Sequence, residues 1–332
     1  MLTFEQVINL NTIKESHRKT NRGKFKFTKQ SIRFDIERET NLLKILQLIL
    51  NNTYTFDKYQ CMVITDNKRR EVHAPSFKDK IYHHMLNTPL LKFVTTRFIK
   101  QSFSCIKKRG NLNAVKHLQN CIRIANRLYG NHARLIKIDI SKFFYTINRD
   151  ILKERLMYVI KDLKVLNLAY NLIDSFKEED IGLPLGNLTS QTFANIYLDY
   201  IDKYITRTLK IKYYMRYADD IFIIVPNLET AKEVRLKVID KLIKKLKLIV
   251  NPNKCYITTL DRVHALGYHI FLDRLRLDSR NKKKFKHYLR KQQIKSLNGW
   301  YAQASYSKCH SLIFSNLINT NMIFNGKVFR FK

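Results

Sequence analysis

The chain has 332 residues, of which 45% are hydrophobic and 27% charged, the proportions of an ordinary globular protein. Its 62 Lys and Arg against 27 Asp and Glu give a formal net charge of +35, which favours a phosphate-rich partner, nucleic acid first and an anionic membrane second. No apolar run approaches the roughly 20 residues that span a bilayer, and the N-terminus lacks the pattern of a secretory signal. Five scattered cysteines without a Cys-x-x-Cys pair argue against zinc ligation and a disulfide framework, so we expect a reducing cytoplasm.

Taken in chain order, hydrophobic periodicity predicts an α+β protein. Helices are predicted over residues 41–51, 80–100, 113–128, 151–163, 165–176, 188–209 and 230–248, and the tail after 280 is expected to be mostly helical. Strands are predicted over residues 134–140, 213–217, 221–225, 255–260, 266–272 and 275–277. Because helices and strands do not alternate, this is not the pattern of a doubly wound parallel sheet.

Charge is distributed unevenly along the chain. Residues 1–130 hold 25 basic and 9 acidic side chains, residues 131–280 hold 26 and 18, and residues 281–332 hold 11 and none. A middle segment that keeps its carboxylates between basic flanks indicates a catalytic block between polyanion-binding segments. A compositional bias toward Lys, Asn and Ile is the alternative for part of the charge, but it does not explain the absence of acidic residues after Asp278.

Aspartates follow the predicted strands of the middle segment. Asp139 lies at the exit of an apolar strand, and Asp219 and Asp220 lie in the turn between two others. If these strands are neighbours, Asp139 and Asp219 converge within the reach of one metal ion. Carboxylate oxygens with a substrate triphosphate predict a magnesium site, and two such ions about 3.5–4 Å apart activate an attacking hydroxyl and stabilise a leaving pyrophosphate. Taken alone, an Asp-Asp pair is also common in turns that bind no metal, because aspartate side chains accept hydrogen bonds from the nearby backbone.

A third motif lies between the two acidic sites. Gly182-Leu183-Pro184-Leu185-Gly186 form a rigid open loop, and a helix is expected to begin near Thr189. Free backbone N–H groups and hydroxyls at such a helix start suit a nucleic-acid backbone or a nucleotide. On its own, the stretch could equally be an ordinary capped helix after a loop.

In this order and at this spacing, Asp139, residues 182–191 and Tyr217-Ala218-Asp219-Asp220 resemble the palm of reverse transcriptases. Residues 68–81 and 102–110 resemble the fingers, and Leu266-Gly267-Tyr268 resembles the primer-grip hairpin. The resemblance implies a right-hand polymerase fold. It would consist of an N-terminal extension and fingers over 1–130, a palm over 131–280 with an antiparallel sheet and helices on one face, and a short basic helical thumb over 281–332. It also implies RNA-templated DNA synthesis from dNTPs, with template RNA and an RNA–DNA hybrid as partners.

The resemblance assigns metal and catalytic roles to the acidic residues. Two Mg²⁺ ions, for which Mn²⁺ is a substitute, are expected at Asp139 and Asp219 with the carbonyl of Ile140 as an added ligand. Asp220 is expected to assist the primer-side ion or to hold the turn.

The resemblance also implies a nucleotide site. Phe144 matches the steric gate that excludes a ribose 2′-hydroxyl, with core packing as the alternative. Arg70 matches the fingers arginine that holds the triphosphate, with a solvated basic turn as the alternative. The remaining residues of this implied site are Leu185, Gly186, Gln191 and Lys254, of which Lys254 matches the lysine that protonates pyrophosphate.

Contacts with primer and template are implied for Tyr217, Leu266, Gly267, Tyr268, Lys282 and Lys283. The basic tail is expected to bind the phosphates of a hybrid duplex in a salt-sensitive mode, and a solvated helical face is the alternative. His83-His84 has no further ligand at a suitable spacing, so we expect a helix surface or a satisfied core position there.

Within the family, residues 185–191 and 193–195 are similar to those of diversity-generating retroelements, and residues 298–304 resemble their short thumb. Leu185 stands where retroviral relatives carry Gln, which is expected to loosen base selection opposite template adenine. Ala218 departs from the usual Tyr-Met-Asp-Asp of that subtype and is common in retron, group II intron and phage-defence enzymes. The subtype implies a bacterial or phage-encoded cytoplasmic enzyme that works with a noncoding RNA and a small accessory protein, without a membrane partner.

Two other functions remain open from the sequence. One is an antiphage-defence or retron-type reverse transcriptase that works with a noncoding RNA. The other is a non-catalytic RNA-binding protein on a polymerase scaffold, against which the intact Asp139, Asp219 and Asp220 argue.

Overall fold

The computed structural model describes residues 1–22, 26–65, 69–177, 179–291, 293–304 and 307. Among the described N-terminal residues, helices α1 (Phe4–Val7), α2 (Leu10–Thr20), α3 (Lys29–Ile36) and α4 (Arg38–Leu50) come first. They precede an antiparallel hairpin of β1 (Gln60–Thr65) and β2 (Arg69–Ala74), followed by α5 (Phe77–Thr95) and α6 (Asn111–Tyr129). Lys68, part of the fingers resemblance, lies outside the described residues.

A four-stranded antiparallel sheet forms the centre of the molecule. Its strands are β3 (Arg134–Asp139), β4 (Tyr213–Tyr217), β5 (Asp220–Val225) and β6 (Tyr256–Thr258), in the order β4-β5-β3-β6. The connections between them contain α7 (Phe143–Thr146), α8 (Arg149–Val159), α9 (Leu163–Asp174), α10 (Leu188–Lys203) and α11 (Leu228–Leu246). The predicted α+β architecture is therefore present.

Hydrophobic side chains cover both faces of the central sheet. Ile136 and Ile223 belong to the larger core, which also contains the buried residues of α10 and α11. Leu135 and Ile224 alternate to the other face and pack in a second core with α6. The palm helices α10 and α11 thus lie on one face, as expected, and α6, from the segment predicted as fingers, covers the other.

The second core extends into the C-terminal part of the chain. This part consists of β7 (Val263–Ala265), β8 (Tyr268–Ile270), β9 (Leu275–Leu277), α12 (Ser279–Arg290) and α13 (Ile294–Ala304). Phe285 of α12 stacks on Trp300 of α13 with ring centroids 4.1 Å apart, and Trp300 Nε1 donates to the Asn281 carbonyl at 2.8 Å. The boundaries proposed at 130 and 280 stay predictions, and hydrophobic packing crosses both. The predicted thumb after residue 304 lies, apart from Ser307, outside the described residues.

Some predicted element boundaries were wrong for identifiable reasons. The helix expected over 151–163 ends at Val159, because Asp162 caps the next helix by accepting hydrogen bonds from the backbone of Lys164 and Val165. The strand expected over 266–272 is interrupted at Leu266 and Gly267, which both take positive φ in the turn between β7 and β8. The helix expected over 188–209 continues after α10 as a short π-helix, Tyr204–Thr208. No helix in the described part of the chain is long and apolar enough to cross a membrane.

Candidate active site

Three aspartates meet at one end of the central sheet. Asp139 is the last residue of β3 and pairs directly with Asp220, the first residue of β5. Ala218 and Asp219 form the turn between β4 and β5, since Tyr217 pairs with Asp220. Pairing β3 with β5 is therefore what brings residues 139 and 219–220 together, as the neighbouring-strand argument required.

The Asp219 and Asp220 carboxyl groups hold their protons more tightly than free aspartate. Burial raises the pKa of Asp219 to about 6, and the negative charges of Asp220 and Asp139 contribute to the increase. Burial also raises the pKa of Asp220, although Lys137, with Nζ 3.2 Å from Asp220 Oδ1, acts in the opposite direction. A bound cation would stabilise the ionised form of these carboxyl groups, because an opposite charge nearby lowers their pKa.

Lys254 is an unexpectedly close neighbour of Asp139. Its Nζ donates to Asp139 Oδ1 at 3.0 Å and to Oδ2 at 3.2 Å, and the hydrogen bond to Asp139 raises the pKa of Lys254. The preceding turn places the lysine there, because the backbone N–H of Asn251 donates to the Asp139 carbonyl at 2.8 Å. The Asn251 side chain also donates to Asp139 Oδ2 at 3.2 Å.

The donor atoms suit Mg²⁺, which prefers carboxylate and carbonyl oxygens. Ile140, whose carbonyl was the expected added ligand, follows Asp139 and forms an isolated bridge with Val250. Among the described residues, the three aspartates do not form a set whose ligand oxygens all lie within 4.8 Å of one another. Lys254 and Lys137 neutralise two of them instead, so cations at this site would compete with the ammonium groups of these lysines.

A buried arginine that sequence reasoning missed holds the Tyr-Ala-Asp-Asp turn. The Arg216 side chain is 0% exposed and makes two hydrogen bonds of 2.7 Å to the Asp202 carboxylate of α10. Its other donors reach Asn195 Oδ1 at 3.1 Å, Ser102 Oγ at 2.9 Å and the Ala218 carbonyl at 3.0 Å. Burial disfavours its charge, but Asp202 outweighs this and raises the pKa of Arg216. The available signal was a lone arginine in the strand directly before the aspartates.

The turn itself is backbone-strained. Ala218 has φ +53, a region that non-glycine residues occupy at some energetic cost. The hydrogen bond from Arg216 to the Ala218 carbonyl fixes this conformation. Tyr217, before the turn, is half-buried, and burial raises its pKa.

Lys254 lies beside Asp139, and the other predicted nucleotide-site residues lie in or near the loop that precedes α10. Gly182 has φ +86, and a Cβ atom there would lie 2.8 Å from the Tyr145 carbonyl oxygen. Leu183 N donates to the Phe144 carbonyl at 2.7 Å, so the loop lies directly against α7. The partly buried Phe144 ring contacts Phe143, with centroids 5.5 Å apart.

The same loop contacts the fingers hairpin. His73 N donates to the Leu185 carbonyl at 3.0 Å, and a Cβ atom on Gly186 would lie 2.6 Å from Val72 Cγ1. Leu185 is half-buried and Gly186 exposed. The structure therefore places this loop against strand β2, which also carries the exposed Arg70.

The hydroxyls at the start of α10 have structural roles instead of the nucleic-acid contacts expected for them. Thr189 and Ser190 are buried; Thr189 Oγ1 lies 2.8 Å from His83 Nδ1, and Ser190 Oγ donates to the Pro184 carbonyl at 2.8 Å. Burial lowers the pKa of His83 to about 3, so His83 is a neutral core residue. Gln191, in contrast, is exposed.

The predicted primer-grip residues form the turn between β7 and β8. Asn281 Nδ2 donates to the Gly267 carbonyl at 3.0 Å, and a Cβ atom on Gly267 would lie 2.4 Å from that nitrogen. The Tyr268 side chain is fully buried, so it anchors the residues after the turn in the second core. The other two predicted contacts, Lys282 and Lys283, lie in α12, the first half-buried and the second exposed.

Comparison with known proteins identifies the family. Residues 56–270 match the family model described as reverse transcriptase (RNA-dependent DNA polymerase). The chain belongs to this family. Group II intron-encoded protein LtrA of Lactococcus lactis subsp. cremoris is 25% identical over 185 residues, which cover 53% of this chain and 30% of that protein. The putative COX1/OXI3 intron 2 protein of Saccharomyces cerevisiae is 24% identical over 197 residues, 56% of this chain and 22% of that protein. The match thus spans less than a third of each curated relative.

Solved structures show that this reverse transcriptase-family chain has a polymerase fold. Apo telomerase from Candida tropicalis superposes with a TM-score of 0.53 at 13% identity, over 71% of this chain and 53% of the telomerase. Telomerase from Candida albicans, in complex with a fragment of telomeric RNA, gives a TM-score of 0.52 at 9% identity, over 85% of this chain and 61% of that telomerase. The predicted right-hand polymerase fold is confirmed.

Proposed function

We propose that the protein is an RNA-templated DNA polymerase that transfers nucleotides with the help of two metal ions. The observation that carries the proposal is the convergence of Asp139, Asp219 and Asp220 at one sheet end in a chain of the reverse transcriptase family. The loop that packs against β2 and α7 would provide an adjoining nucleotide site.

Asp139 and Asp219 would hold the Mg²⁺ ions, or Mn²⁺ in their place, with the Ile140 carbonyl as an added ligand and Asp220 in support. When bound, such ions lower the pKa of the primer 3′-hydroxyl and stabilise charge on the departing pyrophosphate. Arg216 maintains the turn that carries Asp219 through the Ala218 carbonyl. Lys254, whose Nζ contacts Asp139, would donate a proton to pyrophosphate.

The other residues of the proposed site select and orient the substrates. Arg70 on the fingers hairpin would contact the triphosphate, and Phe144 would lie against the sugar and exclude a 2′-hydroxyl. Leu185, Gly186 and Gln191 would border the incoming base. Tyr217, the Leu266–Gly267 turn and the lysines of α12 would contact the primer–template hybrid, mainly through its phosphates.

For the biological role, we propose a diversity-generating retroelement enzyme that works with a noncoding template RNA and a small accessory protein. The similarity of residues 185–191 to that subtype supports it, and apolar Leu185 offers no hydrogen bond for base selection. A second candidate is a retron-type or antiphage-defence enzyme. Ala218 in the catalytic box and the intron-encoded relatives favour this candidate.

Primer extension tests the polymerase. With Mg²⁺, dNTPs and a primed RNA, we expect the wild type to extend the primer and Asp219→Asn to extend nothing. Asp240→Asn, which changes a carboxylate on α11 that pairs with Lys244, should extend like the wild type. An Asp219→Asn protein that still extends, or a wild type that binds the primed RNA without extending it, would refute the proposal.

Product sequencing separates the two roles. The retroelement enzyme should misincorporate mainly opposite template adenine, and Leu185→Gln should reduce these errors. A low error frequency that is uniform across template bases would instead indicate the second candidate.

A further inference from the structure

The fingers hairpin gathers three potential metal ligands that lie well apart in the sequence. In the register of β1 and β2, Cys61 pairs with His73, and Glu71 pairs with Val63, two residues further along β1. Alternate residues of a strand share a face, so Cys61, Glu71 and His73 lie on the same side of the hairpin. Their ligand atoms, the thiol sulfur, a carboxylate oxygen and a ring nitrogen, all lie within 4.8 Å of one another.

His73 lacks the partners that a buried imidazole normally has. His73 is only 6% exposed, and neither ring nitrogen has a hydrogen-bond partner in the described part of the chain. The ring instead packs edge-on against Phe176, with centroids 4.9 Å apart. Buried polar groups without a partner are rare, and an unplaced ion is one of their recognised explanations.

We propose that Cys61, Glu71 and His73 bind a zinc-type divalent metal ion. Thiolate, imidazole and carboxylate together are ligands for Zn²⁺, and three protein ligands leave a fourth position open. Because Cys61 and Glu71 are exposed, water can occupy that position from the solvent side. Mg²⁺ prefers hard oxygen ligands, so this site is chemically distinct from the aspartates of the palm.

The site would couple metal binding to the order of the hairpin. The ion would join β1 to β2, and the backbone of His73 already donates to the Leu185 carbonyl in the loop before α10. An ion with ligands on both strands would therefore stiffen the hairpin whose β2 backbone contacts this loop. The sequence argument against zinc used only the spacing between cysteines along the chain. The proposed ligands come together across the β1–β2 hairpin instead, where Cys61 pairs with His73.

Cobalt spectroscopy on the full-length protein tests the site. Co²⁺ added in the presence of excess Mg²⁺ should produce a thiolate-to-cobalt charge-transfer absorption that saturates at one equivalent and disappears when Zn²⁺ is added. Cys61→Ser should abolish the absorption, whereas Cys105→Ser, at another exposed cysteine, should retain it. Glu71→Gln should weaken cobalt binding by about tenfold or more, since even groups outside the first coordination shell contribute that much.

Hydrogen exchange provides a second readout that does not depend on polymerase activity. Zn²⁺ should slow amide exchange in residues 60–74 of the wild type and leave Cys61→Ser unchanged. Because Cys61 and Glu71 are exposed, their variants are expected to fold, which a thermal melt verifies. The absence of a cobalt band in the wild type, or an unchanged band in Cys61→Ser, would overturn the proposal.

Discussion

Asp219 lowers the stability of the metal-free protein when it ionises. Its pKa in the folded state is about 6, against an ordinary value of 3.8. Because the folded pKa is the higher one, the protonated group favours folding at low pH, and this contribution is lost as the pH rises through about 6. The same carboxylate must be ionised to bind a cation, so the charge that opposes folding is the charge that the proposed chemistry needs.

Asp219→Asn should therefore stabilise the protein while abolishing DNA synthesis. In EDTA at about pH 8, we expect a gain of about 1–2 kcal/mol in unfolding free energy. That is the linkage value of ~1.4 kcal/mol per pKa unit reduced for partial solvent exposure. At about pH 3 the gain should largely vanish, because the wild-type carboxyl is then mostly protonated in both the folded and the unfolded state. Denaturant unfolding checks this, with Asp240→Asn as the control; a loss of stability at the higher pH would contradict the burial argument.

Lys254 supplies the opposite charge at Asp139 before any cation arrives. Replacing it in Lys254→Gln removes a competitor for the carboxylate, and we expect half-maximal activity at an Mg²⁺ concentration up to about fivefold lower, the equivalent of ~1 kcal/mol for a partly exposed ion pair. The maximal rate should fall if Lys254 also protonates pyrophosphate. Single-nucleotide incorporation across an Mg²⁺ titration measures both quantities. Lys244→Gln, which breaks an exposed pair on α11, should change neither.

At the scale of elements, the contact between the fingers hairpin and the loop before α10 depends on one missing side chain. Gly186 has φ +104, and its Cβ would lie 2.6 Å from Val72 Cγ1. Any side chain would therefore strain the backbone and push the loop away from β2. Since β2 carries Arg70, a displaced loop would also separate the two halves of the proposed nucleotide site.

Gly186→Ala should accordingly destabilise the protein by about 1–3 kcal/mol, the usual range for such backbone strain, and raise the KM for dNTPs more than that for the primed template. Gly299→Ala is the matched control, because Gly299 lies within helix α13 with nothing near its Cβ position. At position 299, alanine should raise the free energy of unfolding by about 0.5–1 kcal/mol, because glycine within a helix is less stable than alanine. Equal effects of the two substitutions on stability and KM would show that the contact with Val72 is unimportant.

Most long elements of the palm could be predicted from sequence because their own residues specify them. Asn148 and Asn227 cap α8 and α11, and β5 is an almost continuous apolar run. The β1–β2 hairpin was not predicted, because the short apolar run 62–64 does not alternate with polar residues; in the structure every residue of β1 is exposed. For the site, the motif aspartates were found, whereas the network of Arg216, which joins three distant segments, leaves no periodic trace in the sequence.

For the whole molecule, the two basic segments, residues 1–130 and 281–332, flank in sequence the segment that carries the aspartates. The formal charge of +35 favours rapid, sequence-independent association with nucleic acid, whose strength falls steeply with salt. Residues 281–332 carry no acidic side chain, and α12 is packed onto the palm side of the molecule through the second core. The basic helix α12 is thus held at a fixed place, which the proposed binding of phosphates by this helix would require.

The double variant Lys282→Gln/Lys283→Gln should weaken hybrid binding about equally for all sequences and reduce the slope of log affinity against log salt by about 1–2. Fluorescence anisotropy with a labelled RNA–DNA hybrid at several salt concentrations measures this slope. Lys237→Gln/Lys244→Gln removes the same number of charges from α11, where both lysines already pair with acidic neighbours. If both doubles lower the slope equally, net charge rather than α12 governs binding.

The completely buried Arg216 has a consequence for how relatives of this protein diverge. An arginine without its counter-ion, or Asp202 without the arginine, leaves an isolated charge in a dry interior, at a cost of about 3–5 kcal/mol. Mutations at the two positions should therefore be accepted jointly or not at all during descent, and the pair should covary across an alignment. Relatives that have lost both Arg216 and Asp202 but kept the three aspartates would mark lineages in which selection no longer maintains the conformation of the catalytic turn.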